Sequence, residues 1–76
     1  MNKVFRLTMF DAAGRSTQFH IIPDSSFGGT AAEVINVHDA FCKLEWINFD
    51  DISGARVHLN FNAYASWALG YVDHIL

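Results

Sequence analysis

With 76 residues, 51% of them apolar and including seven Phe, two Tyr and two Trp, residues 1–76 have the material for one small domain with an aromatic core. Five basic residues against eight acidic ones give a net charge of −3, and Lys3, Arg6, Arg15, Lys43 and Arg56 are scattered, which disfavours DNA or RNA as a partner. The single cysteine, Cys42, excludes an internal disulfide and a cysteine-rich zinc site. With no signal-peptide pattern and no apolar run of membrane-spanning length, a cytoplasmic protein without a membrane partner is expected.

Lys3 to Asp11 alternates as a strand, with Phe5, Leu7 and Met9 on the core face and Val4, Arg6, Thr8 and Phe10 on the other. Asp11-Ala12-Ala13-Gly14-Arg15 forms a turn, and Ser16 to Ile22 returns as the second strand of a hairpin. Pro23 ends the pairing because it has no N–H to donate. In the loop Asp24 to Gly29, Phe27 is the only large apolar side chain among small ones. Two readings of it stand: a plug over the core edge, or an exposed anchor for a partner.

Thr30-Ala31-Ala32-Glu33 has the form of a capping box, which predicts a helix over residues 30–44 with Val34, Val37, Phe41 and Leu44 on its stripe. The rival is a hairpin of Glu33–Val37 and Phe41–Phe49, favoured by the poor helix formers Val34, Ile35, Asn36 and Val37. Leu44 to Phe49 reads as a strand with a register slip such as a bulge. Asp50-Asp51-Ile52-Ser53-Gly54 reads as a turn.

Arg56 to Phe61 alternates cleanly and places Val57, Leu59 and Phe61 on one face. Beyond it Tyr64, Trp67, Ala68, Tyr71, Val72 and Ile75 recur at three- and four-residue steps, and Asn62 suits an N-cap, which predicts a C-terminal helix. The expected fold is α+β in the order β-β-α-β-β-α, an antiparallel sheet with two helices on one face. If the rival hairpin forms, the expectation becomes a five-stranded small barrel or meander with a C-terminal helix.

His20, His38, His58 and His74 include no pair at metal-ligand spacing, so no metal and no cofactor is expected. His20 and His58 could meet only if their strands are neighbours. Cys42, in an apolar run, reads as a buried and inert thiol. The serines fit no nucleophile elbow, and Gly28-Gly29-Thr30 lacks the lysine of a phosphate loop. Asp11, Asp24, Asp39, Asp50 and Asp51 read as residues at element ends.

The expected function is therefore non-enzymatic. A small acidic protein-interaction module would bind, and thereby inhibit, a larger protein partner with a basic surface, by the physics of phage- and mobile-element-encoded inhibitors. Asp50, Asp51 and Phe27 are its candidate partner-binding residues. The alternatives are a self-associating structural protein, such as a homodimer joined by a helix face or strand edge, and a small-ligand or metal-binding domain using His20 and His58.

Overall fold

The computed structural model describes residues 2–74. In chain order they form β1 (Asn2–Phe10), β2 (Ser16–Ile21), α1 (Ala31–Cys42), β3 (Trp46–Asp50), β4 (Arg56–Asn60), a 3₁₀ turn (Phe61–Ala63) and β5 (Ser66–His74). The architecture is α+β with antiparallel strands, in a three-stranded sheet ordered β2-β1-β5 and a two-stranded sheet β3-β4.

The two hairpins close with the same turn chemistry. In the first, Asp11 N–H donates to the Arg15 carbonyl at 2.9 Å and Gly14 N–H to the Asp11 carbonyl at 3.1 Å. In the second, Asp51 N–H donates to Ala55 at 2.8 Å and Gly54 N–H to Asp51 at 2.9 Å. Gly14 and Gly54 have φ of 83° and 91°, the left-handed geometry that lets each turn rejoin its ladder. A carboxylate oxygen of each Asp accepts the N–H two residues on, from Ala13 and from Ser53.

α1 starts where its capping box predicts. Glu33 N–H donates to the Thr30 hydroxyl oxygen at 3.2 Å, and Thr30 N–H reaches back to the Glu33 carboxylate at 3.3 Å. Residues 31–42 are thus helical, which overturns the rival hairpin and the barrel or meander built on it. β3 pairs with β4 from Trp46↔Asn60 to Asp50↔Arg56 without the expected slip.

The expected C-terminal helix is a correction: residues 66–74 are β5, so α1 is the only α-helix among the described residues. Tyr64, Trp67, Ala68, Tyr71 and Val72 do recur at helical steps, but Trp67, Leu69 and Tyr71 also alternate with Ala68, Gly70 and Val72. Mid-helix Gly70 would cost about 1 kcal/mol, while a strand here closes the second edge of β1 over a continuous ladder from Asn2↔His74 to Phe10↔Ser66. The polar cap signal yields a single 3₁₀ turn, in which the Asn60 side chain accepts the Asn62 N–H at 2.7 Å. Ile75, expected on the helical stripe, lies outside the described residues.

β1 is the central strand and the most buried. Phe5, Leu7 and Met9 face the core as expected, and Leu7 and Met9 join Ile47, Leu59 and Phe61 in one cluster between the two sheets. Val4, on the opposite face, is also fully buried. Its neighbours on that face explain this. His20 lies opposite Arg6 and His74 opposite Asn2, so both rings stand on the Val4 side, and they stack at 4.6 Å across the strand that carries it. α1 packs on β5, with His38 5.0 Å and Phe41 6.3 Å from the Trp67 ring, and has no fully buried residue.

Candidate functional site

The hairpin register sets the two adjacent aspartates to different tasks. Asp50 is exposed and lies opposite Arg56, whose Nη1 donates to its Oδ1 at 3.2 Å. Along the sequence Arg56 stands six residues away; across the hairpin it forms an exposed ion pair with Asp50. Asp51 is turned to the fold. Its Oδ1 accepts the Ser53 N–H at 2.9 Å, and its Oδ2 accepts the His20 N–H at 3.0 Å. Ile52 N–H then donates to the His20 carbonyl at 3.0 Å. The Ser53 backbone N–H and hydroxyl, with smaller help from His20, hold the Asp51 carboxyl below the ordinary carboxylate range. Phe27 is half-buried at the other end of the core, 4.9 Å from the Phe5 ring and 5.2 Å from the Tyr71 ring.

The histidines separate into three settings. His20 stacks on His74, not His58, because β2 and β4 belong to different sheets. His58 stacks on Trp46 at 4.7 Å on the outer face of the β3–β4 hairpin. Among the described residues no three His, Cys, Asp or Glu side chains converge in the manner of a metal site. Asp39 proves to be a helical residue rather than an element end, and its Oδ1 lies 3.3 Å from His38 Nδ1.

Cys42 is exposed, a second correction. It ends α1 one turn after His38, and its Sγ lies 3.8 Å from His38 Nδ1. His38, Cys42, Tyr64 and Trp67 line an open groove of about 560 Å³ between α1 and the start of β5. A nucleophile–base–orienter relay needs both ring nitrogens, one for the thiol and one for the carboxylate. Here Asp39 and Cys42 approach the same nitrogen.

A second, more apolar concavity lies beside the helix end. Ile21, Phe41, Leu44, Trp46, Ile47 and Phe49 line a cleft of about 380 Å³ between α1, β2 and β3. At its rim Leu44 is 47% and Trp46 50% exposed. Neither was singled out by sequence reasoning, although one signal was present. Trp46 alternates with Asn48 and Asp50, so it occupies the polar face of its strand, where an aromatic residue has no core to fill. The sequence pattern puts Leu44 on the helical stripe, but the helix stops at Cys42.

No family model, no curated protein and no solved structure matches the chain, so its functional reading rests on its own residues.

Proposed function

We propose that the chain is a non-enzymatic protein-binding module whose cleft between α1 and β3 receives an apolar side chain of a partner protein. The observation that carries this reading is the exposure of Leu44 and Trp46 around a concavity whose lining is apolar except for Asn48. Leaving two large apolar side chains half in water is unfavourable by roughly 25 cal/mol per Å² of apolar surface, and a partner that covers them recovers that energy. Tryptophan is among the residue types enriched at interface hot spots.

The net charge of −3 favours a partner with a basic surface, by speeding encounter and suppressing acidic competitors. Asp50, exposed at the end of β3, and Glu45, beside Trp46, are the carboxylates nearest the cleft along the chain. Asp51 has its oxygens committed to the turn, so Asp50 is the member of the pair that a partner would meet. Occlusion of a basic site is the form of inhibition open to a module of this kind.

The test compares proteins captured from the source cell by the wild-type chain and by the double variant Leu44→Ser, Trp46→Ser. A partner retained by the first and lost by the second supports the cleft, with a loss of about 2 kcal/mol per hot spot, or roughly 30-fold in Kd. Identical capture by both folded proteins would refute it. Asp50→Asn, which removes the charge without setting a second cation opposite Arg56, should lower the association rate and its salt dependence with little change in the melting temperature.

A further inference from the structure

We propose that the chain forms a two-fold symmetric homodimer through antiparallel pairing of β5 with β5 of a second copy, a contact that does not rest on the cleft. The inference starts from which backbone groups are free. His20 directs its N–H and carbonyl away from β1, to Asp51 and Ile52, so the pair Arg6↔His20 is one without direct ladder bonds. Arg6 therefore turns its N–H and carbonyl toward Gly70 on β5. Alternation follows: Ser66, Ala68, Gly70, Val72 and His74 bond β1, while Trp67, Leu69, Tyr71 and Asp73 present their N–H and carbonyl groups at the outer edge. No other backbone segment among the described residues bonds that edge.

The two edges of the three-stranded sheet differ. The edge of β2 is closed at His20 by the β3–β4 turn. The nine-residue β5 edge forms no described backbone bond to another segment. It carries no proline and a single charge, Asp73, near its end.

A second copy fits this edge in one register better than any other. With Gly70 opposite Gly70, Leu69 faces Tyr71 and Trp67 faces Asp73, and every outward N–H and carbonyl of those four residues gains a partner. A shift that puts Leu69 opposite Leu69 instead sets Asp73 opposite Ala65, whose N–H is already given to the Phe10 carbonyl at 2.9 Å. The register also keeps the two Asp73 carboxylates at opposite ends, whereas a shift that brings them face to face is opposed by charge. At the axis Gly70 falls in the close pair without ladder bonds, where Cα atoms stand about 4.5 Å apart, and glycine puts no side chain into that space. The two three-stranded sheets then become one.

The test uses the full chain in a Cys42→Ser background, which removes its only thiol. Sedimentation should give twice the chain mass, falling to the monomer on dilution. Gly70→Cys should cross-link to its own copy under mild oxidation, because about 4.5 Å between Cα atoms lies within the roughly 4.4–6.8 Å span of a disulfide. Ala68→Cys, which faces Val72 in this register, should not. Gly70→Lys should be monomeric at concentrations where the parent is dimeric. Its fold should survive, since a Cβ there meets only Val72 Cγ1 at 3.5 Å, an ordinary contact. A chain that remains monomeric at all concentrations overturns the proposal. So does a dimer that fails to cross-link at residue 70 and ignores Gly70→Lys, which would place the contact elsewhere, as on the cleft.

Discussion

Both oxygens of Asp51 accept backbone N–H groups, one within its own turn and one from His20 in the other sheet. Asp11 occupies the matching position in the first hairpin, but its second oxygen meets only the exposed Arg15, at 3.1 Å. Asp51→Ala should therefore cost about 2 kcal/mol, because it leaves the His20 N–H without its charged acceptor, and Asp11→Ala should cost less. Urea unfolding of the two variants side by side checks the order. The same contacts set a pH dependence. The folded Asp51 carboxyl titrates below its ordinary value, so as pH falls the unfolded chain takes up the proton first and unfolding is favoured. Its contribution is fully present above about pH 4, the ordinary aspartate range, and is lost as pH falls through the lower folded value. Asp24 and Glu33, lowered by hydrogen bonds from Ser26 and from Gly28 and Thr30, act in the same direction. Wild-type stability should drop as the pH falls below about 4, and Asp51→Asn should flatten part of that drop. At this scale the sequence showed that Asp51 belongs to a turn. It did not show that His20 would be the second partner or that Arg56 would face Asp50, since both depend on pairings distant along the chain.

Elements whose signals are local were legible, and the one set by its neighbours was not. The Thr30–Glu33 capping box fixes the start of α1 despite Val34, Ile35 and Val37, because it satisfies the open N–H groups of the first turn. Thr30→Ala should lower stability by about 1 kcal/mol, whereas Thr30→Ser should be nearly neutral; thermal melts followed at 222 nm distinguish them. β5 shows the opposite case. Its aromatic and small residues satisfy a period of 3.6 and a period of 2 together, so hydrophobic pattern alone does not choose. The choice is made by β1, whose buried position requires a partner on each side and whose nine residues align with the nine of β5. The same limit hid part of the cleft. The exposure of Leu44 follows from where α1 stops, which no few residues encode, whereas the alternation of Trp46 with Asn48 and Asp50 was a local sign of its outward face.

Across the whole molecule, the two sheets meet through side chains more than through backbone. Leu7 and Met9 from β1 pack with Ile47 and Leu59 from the hairpin and with Phe61 of the 3₁₀ turn, while Phe19 and Phe49 meet edge to face at 5.7 Å. A two-stranded hairpin is marginal by itself in water, so β3 and β4 draw their stability from this shared core. The three-stranded sheet depends on the hairpin in return, because without it Leu7 and Met9 would face solvent. Unfolding should then be a single cooperative transition. The chain supplies its own reporters, since Trp46 lies on β3 and Trp67 on β5 and there is no third tryptophan. Trp46→Phe leaves a probe of the larger sheet, and Trp67→Phe leaves a probe of the hairpin. In each single-tryptophan protein the fluorescence and far-ultraviolet dichroism midpoints in urea should coincide. Leu59→Ala, which empties a nearly fully buried site in the hairpin, should cost about 3 kcal/mol and move both fluorescence transitions together. If Leu59→Ala shifts only the Trp46 transition, the hairpin unfolds as a separate unit and the core does not couple the sheets.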